Sequence, residues 1–332
     1  HDLCRRQRQM CIRDRYIGSH AALSLLDAGH NVHIIDNLST GNESLIPKNA
    51  FFTKCNINDE EVISELIKSN SFDLLMHFAG FIQVEESVKY PQKYFDNNTE
   101  NATKLFETCK NNGLNKIVFS STAAAYGYVS EKKLIDENTN LNPQNPYAES
   151  KIKTENFLFE NKHDYKFIIL RYFNVAGADK KLRSGQISKR STHLIKILSE
   201  VVVGKRDHIE IFGNDYNTAD GTAIRDYIHV SDLADIHLEV AKYLLENSES
   251  NLFNCGYGNG FSVLDVINTA NKISKDKIDY KFSNRRDGDV EQLIADTSKI
   301  LKHIDWKPKH NDLSEIINSS IKWEEKINES NT

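Results

Sequence analysis

After residue 16 the sequence alternates between short runs rich in β-branched residues and longer amphipathic stretches. This order is typical of a parallel sheet whose strands are joined by crossover helices, so we predict an α/β fold built on a doubly wound sheet. The strand candidates are Val32–Asp36, Phe51–Lys54, Asp73–Ala79, Lys116–Ser121 and Tyr165–Tyr172, and the helix candidates lie near 17–28, 59–69, 92–112 and 145–160.

The pattern changes beyond about residue 174. A polar loop covers 179–192, a helix candidate begins near 193, and short strands and helices alternate irregularly to the end. We predict a Rossmann-type domain over 16–174 and a smaller mixed α/β lobe over 175–332, some segments of which return to the first domain. Ligands of doubly wound sheets bind at the carboxyl ends of the strands. Asp36, Phe78–Gly80, Ser120–Thr122 and Tyr172–Asn174 fall at such ends.

Composition argues against several classes of function. Of the 332 residues, 39% are hydrophobic and 27% are charged, which is ordinary for a globular protein. No apolar run approaches the roughly 18 residues that span a bilayer, and no secretory signal is evident. We therefore expect a cytoplasmic protein without a membrane partner. The net charge of -5 argues against a nucleic-acid partner.

The spacing of cysteine and histidine predicts no metal site. The five cysteines are odd in number, lie far apart and form no Cys-x-x-Cys pair, which disfavours a disulfide framework and a zinc site. The twelve histidines show no metal-ligand spacing either. We interpret most of them as ordinary polar or capping residues.

The first fifteen residues do not fit the predicted fold. A Rossmann-type fold opens with an apolar strand and a glycine-rich turn, whose backbone amides approach a dinucleotide pyrophosphate. Here Arg5–Arg15 is basic and contains no glycine, and only the end of the motif is present, as Tyr16–His20 with Gly18. The run is similar to translated sequencing-adapter sequence, so we interpret residues 1–15 as an aberrant segment that replaced the true start. A basic nucleic-acid arm or a targeting peptide is the alternative.

The strongest chemical signal is the pair Tyr147 and Lys151, preceded by the hydroxyl residue Thr122 at a strand end. Residues four apart share one face of a helix, so the ammonium can lie beside the phenol. Ionising a tyrosine near neutral pH requires its pKa to fall by roughly 3 units, or about 4 kcal/mol. One cation about 4 Å away supplies roughly that amount before desolvation is subtracted. Lys151 alone is therefore marginal, and an oxidised nicotinamide ring would add a second positive charge.

Asp36 supports a dinucleotide site. It ends the second predicted strand 18 residues after Gly18, close to the position at which an acidic side chain binds the adenosine ribose. Its carboxylate would repel a 2′-phosphate, which favours NAD over NADP. Taken alone, Asp36 is also compatible with a turn cap beside Asn37.

Longer blocks extend the pattern into the second lobe, and with them the chain resembles the UDP-glucose 4-epimerase family from Tyr16 to about Trp306. The last three blocks below are distinctive of that family and its closest relatives, whereas the shorter motifs are shared by the extended short-chain dehydrogenases. The blocks are Tyr16–His20, Asp36–Ser39, His77–Gly80, Tyr147 with Lys151, Leu170–Gly177, Ile211–Tyr216 continuing through Asp220–Thr222, Arg225–Val230 and Arg285–Asp289.

The resemblance implies a reaction and a role for each site residue. It implies that Tyr147 removes the proton of the sugar 4-hydroxyl while C4 gives hydride to NAD, after which the 4-keto sugar turns over and takes the hydride back on its other face. It also implies that Thr122 hydrogen-bonds the reacting oxygen, and that the enzyme is a homodimer built on the helices at 92–112 and 145–160.

The same resemblance implies two sets of binding residues. The cofactor set is Gly18, Asp36, Asn37, Asn56, Ile57, Phe78, Ala79, Gly80, Asn97, Ser120, Tyr147, Lys151 and Tyr172. The substrate set is Thr122, Asn174, His193, Phe212, Arg225, Arg286 and Asp289, with the arginines on the diphosphate and Asp289 on the uridine ribose.

Several positions depart from the family pattern. Asn56 replaces an aspartate near the adenine, and Ile82 replaces a lysine seen in some members. His193 stands where some members have an asparagine that contacts the substrate. Leu293 occupies a position tied to tolerance of N-acetylated sugars. The preferred UDP-hexose is therefore left open between the glucose–galactose pair and the N-acetylated pair.

Two alternatives stand beside this interpretation. A nucleotide-sugar 4,6-dehydratase shares the fold, the NAD and the Tyr/Lys pair. That family is characterised by a Thr-Asp-Glu run at this strand end, where this chain has Thr122, Ala123 and Ala124. Neither alanine can transfer a proton. The other alternative is a non-catalytic Rossmann-fold binding protein, which the intact Thr122, Tyr147 and Lys151 disfavour and the glycine-free start favours.

Overall fold

The structure is a computed structural model and describes residues 8–12, 16–39, 41–129, 134–187, 191–274, 277–286 and 288–329. None of the helices in these ranges is long and apolar enough to cross a membrane. The helices are α1 Tyr16–Asp27, α2 Glu60–Ser69, α3 Val84–Lys89, α4 Pro91–Tyr94, α5 Asn101–Asn111, α6 Pro146–Glu160, α7 Leu194–Val202, α8 Val230–Asn247, α9 Val263–Ile273, α10 Ser298–His303 and α11 Leu313–Glu329. The strands are β1 Arg8–Ile12, β2 Asn31–Ile35, β3 Phe51–Thr53, β4 Leu74–His77, β5 Lys116–Thr122, β6 Lys166–Tyr172, β7 Asn174–Ala176, β8 Ile209–Phe212, β9 Ile224–His229, β10 Asn251–Cys255, β11 Gly260–Ser262, β12 Tyr280–Ser283 and β13 Gln292–Leu293.

Seven parallel strands form the main sheet, in the order β10-β6-β5-β4-β1-β2-β3. The chain order runs outward in both directions from the neighbours β1 and β4, and ligands of such sheets bind where this reversal occurs. β5 and β6 pair from Lys116 opposite Lys166 to Thr122 opposite Tyr172. Thr122 and Tyr172 therefore end side by side at the carboxyl edge of the sheet.

Helices cover both faces of the main sheet. On one face α1, α8 and α10 pack on the strands and bury residues such as Leu25 and Leu233. On the other face α2, α5 and α6 bury Ile63, Leu105 and Leu158. Strands buried on both faces are apolar on both sides, which is why they read as continuous hydrophobic runs. The predicted α/β fold with a doubly wound parallel sheet is confirmed.

A second lobe follows β6. In it β9 pairs with β7, β11 and β13, while β8 pairs with β12. Helices α7, α9 and α11 pack around a core that includes Leu198, Ile267 and Ile317. Although α8, β10 and α10 come late in the chain, α8 and α10 pack on the main sheet and β10 pairs with β6. The division of the chain at residue 174 stays a prediction.

The structure differs from expectation at the start of the chain. β1 lies between β2 and β4 and runs parallel to both, with Ile12 opposite Ile35 and His77. The backbone of 8–12 therefore occupies a strand position in the main sheet, and the interpretation of residues 1–15 as an aberrant segment stays a prediction. Strand pairing uses backbone N–H and C=O groups, so a run without an apolar pattern can still occupy a strand position. The expected glycine-rich turn would fall at 13–15, outside the described residues.

Candidate active site

Helix α6 carries the predicted pair Tyr147 and Lys151. Its N-cap is Asn145, whose side chain accepts a hydrogen bond from the backbone N–H of Ala148 at 2.9 Å, and Pro146 occupies the first turn. Both features are favoured at helix starts. The local sequence thus fixes where α6 begins. Tyr147 lies in the first turn of this helix, and Lys151 lies about one turn after it.

The phenol of Tyr147 meets the end of β5. It faces Thr122, whose Oγ1 accepts from the backbone N–H of Ala124 at 3.1 Å. The ring of Tyr94 packs edge-on at 6.5 Å between centroids. Burial raises the pKa of Tyr147, and the nearby Thr122 side chain offsets this only in part. The groups of the chain therefore keep the phenol protonated at neutral pH, so ionisation requires a further cation.

Lys151 lies where the ends of β4 and β5 meet. Its side chain is only 3% exposed, and Nζ donates a hydrogen bond to the backbone oxygen of Ser120 at 2.9 Å. Nζ also lies 4.9 Å from the centroid of the Phe119 ring. A Cβ added to Gly80 would stand 3.1 Å from Nζ, so a side chain at that position would crowd the ammonium. The predicted residues Lys151, Ser120 and Gly80 are therefore brought together.

The expected helix over 92–112 is interrupted by a π-helical turn, Phe95–Glu100. Such turns inside helices often occur at functional sites. Within it Asn98 is buried and joins two elements: its side chain accepts from the N–H of Phe81 at 2.8 Å and donates to Ser150 Oγ at 3.1 Å. The predicted Asn97 donates to Asn98 Oδ1 at 2.8 Å.

Asn98 is therefore a residue that sequence reasoning missed. It ties the loop after Gly80 to α6, one residue before Lys151. A signal was available, because asparagine favours caps and turns over helix interiors. Two consecutive asparagines in a predicted helix thus indicate an irregular turn.

The residues predicted for the adenosine end share one pocket, lined by Asp36, Asn37, Asn56, Ile57, Asn58, Asn97 and Asn101. Asp36 is buried, and its Oδ1 accepts from the backbone N–H of Leu38 at 2.7 Å. Asn37 Nδ2 donates to Asn56 Oδ1 at 2.8 Å. Asp36 therefore does cap a turn, as the alternative interpretation had it, and it also faces the pocket. Gly18 is buried in the first turn of α1, next along the chain from β1.

The ends of β4 and β6 meet at a buried histidine. The hydroxyl of Tyr172 lies 2.7 Å from His237 Nε2, and the nearby Ser120 side chain lowers the pKa of Tyr172 in part, although burial raises that pKa overall. The ring of Phe78 lies 4.9 Å from that of His237, and the next residue, Ala79, is fully buried. The sequence analysis treats most histidines as ordinary polar or capping residues. His237 differs from them, because it contacts Tyr172 and Phe78, two predicted cofactor residues.

Four of the predicted substrate residues form one cluster in the second lobe. Arg225 is ion-paired with Asp289, and the guanidinium of Arg286 lies 3.7 Å from the Phe212 ring centroid. Buried Nε of Arg286 has no hydrogen-bond partner among the described residues. The ion pair shows that Arg225 and Asp289 do contact each other, whereas their binding of diphosphate and ribose stays a prediction.

This cluster lies beside the start of α6. A Cβ on Gly288 would approach the Cβ of Gln144 to 3.3 Å, and Gln144 is three residues before Tyr147. Asn174 is exposed at the start of β7, and His193 is the exposed N-cap residue of α7. The contacts that join the cluster do not include these two residues.

After Thr122 the chain turns through a short 3-10 helix, Ala123–Ala125. Ala123 is buried against Tyr126, Phe173 and Leu293. No carboxylate therefore follows Thr122, and the turn is packed by apolar groups. This arrangement offers no acid or base for an elimination.

A dinucleotide-binding α/β protein with a tyrosine–lysine centre is defined by three features: the doubly wound sheet, the polar pocket at the end of β2, and the half-buried Tyr147 near the buried Thr122 and Lys151. The family model described as "NAD dependent epimerase/dehydratase family" matches residues 14–256. The chain belongs to that family.

Named relatives agree with this assignment. The chain is 43% identical over 317 residues to a UDP-glucose 4-epimerase of Azospirillum brasilense, covering 95% of this chain and 91% of that protein. The UDP-Glc/GlcNAc 4-epimerase structure of Campylobacter jejuni is 42% identical, with a TM-score of 0.83 over 96% of this chain and 99% of that one. The UDP-glucose 4-epimerase of Bifidobacterium longum, in complex with NAD+ and UDP, is 32% identical with a TM-score of 0.90, covering 96% and 98%. The resemblance drawn from the sequence is confirmed.

Proposed function

We propose that this chain is a UDP-glucose 4-epimerase, which inverts the 4-hydroxyl of a UDP-hexose with a bound NAD. The observation that carries the proposal is the meeting of Tyr147, Thr122 and Lys151 at the carboxyl ends of β5 and its neighbours. Relatives named as UDP-glucose 4-epimerases at 35 to 43% identity over most of the chain support it.

The residues present fit NAD at both ends of the molecule. The pocket around Asp36 and Asn56 offers oxygens and amides to an adenosine, while the lack of a side chain at Gly80 leaves room beside Lys151. Tyr172 and Ser120 lie at the same edge for the nicotinamide end. When bound, NAD supplies the oxidant that takes the hydride from the sugar C4 and returns it.

Side chains of the protein then transfer the proton of the 4-hydroxyl. Tyr147, in its ionised form, takes the proton of the 4-hydroxyl onto its phenol oxygen and gives it back when the 4-keto sugar is reduced. Thr122, at the end of β5 and next to Tyr147, hydrogen-bonds the same sugar oxygen in this proposal. Lys151 provides a fixed positive charge that favours the phenolate.

The substrate cluster keeps hold of the nucleotide while the sugar turns over. Arg225 and Arg286 suit a diphosphate, because guanidinium groups bind phosphate oxygens in a forked geometry. Phe212 already stacks on Arg286 and holds its plane in place. An anchor on the diphosphate leaves the hexose ring able to rotate, so either face of C4 can meet the nicotinamide end.

A panel of UDP-sugars tests the proposal and settles the substrate. UDP-galactose, UDP-glucose and their N-acetylated counterparts are each incubated with the chain and the products separated by chromatography. We expect interconversion at C4 in at least one pair, with no net consumption of NAD. Formation of a 4-keto-6-deoxy sugar would instead support the dehydratase, and binding of NAD without any conversion would support the non-catalytic alternative.

We further propose that the basic start weakens NAD binding by this polypeptide. In the sequence, Arg5–Arg15 is basic and contains no glycine at the point where the motif has a glycine turn, which admits pyrophosphate to the backbone. A variant with an apolar strand and glycine turn in its place should bind NAD more tightly and convert UDP-galactose faster. Equal affinity and equal rate in the two proteins would contradict the interpretation of residues 1–15 as a replacement.

We also propose a homodimer formed through the segments 92–112 and 145–160, on the strength of the family resemblance. Light scattering after size-exclusion chromatography distinguishes one chain from two. Location in the cytoplasm stays a prediction.

A further inference from the structure

His237 lies on the apolar face of α8, where the surrounding positions are aliphatic. It is fully buried, and Leu233, Val240 and Ala241 on the same face are also fully buried. An imidazole on such a face costs desolvation unless both of its nitrogens are hydrogen-bonded. In the structure both nitrogens have partners, one on α8 itself and one at the end of β6.

The partners define which nitrogen carries the hydrogen. His237 Nδ1 lies 2.8 Å from the backbone oxygen of Leu233, which can only accept. Nδ1 therefore donates, and Nε2 is the acceptor for the hydroxyl of Tyr172 at 2.7 Å. Burial lowers the pKa of His237 to about 4, so the ring is neutral at pH 7 and holds this tautomer.

The hydrogen-bonded pair lies beside the residue that holds Lys151. Tyr172 gives its only hydroxyl hydrogen to His237, and Ser120 is close enough to lower the pKa of Tyr172 in part. The backbone oxygen of the same serine accepts from Lys151 Nζ. The ring of Phe78 packs on His237 from the end of β4.

We propose that His237 is a positioning residue for the dinucleotide, which fixes the Tyr172 hydroxyl and the Phe78 ring at the carboxyl edge of the main sheet. The inference rests on the proposed function in so far as Tyr172 and Phe78 meet NAD. Without the imidazole acceptor, Tyr172 gains rotational freedom that binding must remove. Ordering one such side chain costs about 0.5 to 1.5 kcal/mol, which corresponds to a loss of NAD affinity of about 2- to 10-fold.

The test compares three variants of the chain by the dissociation constant for NAD, measured by equilibrium dialysis, and by the midpoint of thermal unfolding. His237→Leu removes the acceptor and keeps most of the volume, whereas His237→Gln keeps an oxygen acceptor near the position of Nε2. Leu244→Ala is the matched control for destabilisation, because Leu244 is buried two turns further along α8. We expect His237→Leu to weaken NAD binding by 2- to 10-fold, His237→Gln to restore most of it, and Leu244→Ala to lower the midpoint only.

A fourth measurement tests the route through Tyr172. Tyr172→Phe alone should weaken NAD binding to a similar extent, and the double variant with His237→Leu should be no weaker than either single one. Additive losses, or a lowered unfolding midpoint in His237→Leu with an unchanged dissociation constant, would overturn the positioning role. No measurable NAD binding by the parent chain or by the variant with an apolar strand and glycine turn would overturn the inference and the proposed function together. If His237→Leu weakens NAD binding by the expected 2- to 10-fold but no UDP-sugar is converted, only the proposed function is contradicted.

Discussion

Replacing Lys151 by methionine removes one buried charge from the turn of α6 that follows Tyr147 and changes the side-chain volume little. The ammonium is held by the backbone oxygen of Ser120 at 2.9 Å and is 3% exposed, so it cannot be replaced by a solvent cation without rearrangement. One unit charge about 4 Å away at an effective dielectric near 20 is worth about 4 kcal/mol. Burial raises the pKa of Tyr147, and Thr122 lowers it by less than burial raises it. We expect the rate at pH 7 and saturating NAD to fall by roughly 10³-fold.

The direction of the pH dependence follows from the same argument. Loss of the cation raises the pKa of Tyr147, and the ionised fraction at neutral pH falls tenfold for each unit of that rise. The rate of Lys151→Met should therefore climb about tenfold per pH unit above pH 7 until the phenol ionises. The assay follows UDP-glucose formation from UDP-galactose between pH 6 and pH 10.

Lys153→Met is the matched control. Lys153 lies on the same helix, but its side chain is half exposed and its Nζ lies over the Phe95 ring. We expect its pH profile to match that of the parent chain. A Lys151→Met variant with a rate within tenfold of the parent, or with an unshifted profile, would refute the role of Lys151 in ionising the phenol.

Three further changes test other parts of the site and fold. Tyr147→Phe should abolish conversion of UDP-galactose while NAD remains bound, and substantial residual turnover would remove the phenol from the base role. Asp36→Ser removes a buried carboxylate beside the adenosine pocket. NADP binding, measured by dialysis, should become about tenfold stronger relative to NAD binding, because the repulsion of the 2′-phosphate is lost. An unchanged ratio of the two dissociation constants would exclude that repulsion. Arg171→Met removes the buried ion-pair partner of Glu155 at 2.5 Å and leaves that carboxylate uncompensated. The free energy of unfolding, measured in urea, should therefore fall by roughly 3 to 5 kcal/mol. A loss below about 1 kcal/mol would count against a tightly coupled pair.

Strands β2 to β6 were predictable because burial on both faces leaves a strong local pattern. The predicted ends of β2 to β6 agree with the structure within two residues. β1 was not predictable from pattern, since its basic run shows no apolar period and only its pairing with β2 and β4 identifies it. The pairing of β10 with β6 joins Asn251–Cys255 to residues more than eighty positions earlier, and no local signal encodes it.

The sequence predicts which residues form the candidate site better than it predicts the contacts between them. Sequence motifs and the family resemblance name Thr122, Tyr147 and Lys151, and the structure brings them to the same edge of the sheet. What the residues donate to or accept from depends on tertiary packing. The ion pair of Arg225 with Asp289 is one example. His237 is another, because an imidazole on an apolar helix face becomes informative only once its partners are known.

The central claim is that the sugar is oxidised and reduced at the same carbon while the phenol of Tyr147 handles the proton. UDP-galactose carrying deuterium at C4 tests it most directly, with the product analysed by mass spectrometry and NMR after conversion in ordinary water. The account predicts UDP-glucose that keeps the deuterium at C4. Loss of the label to water, or its appearance at another carbon, would contradict the account.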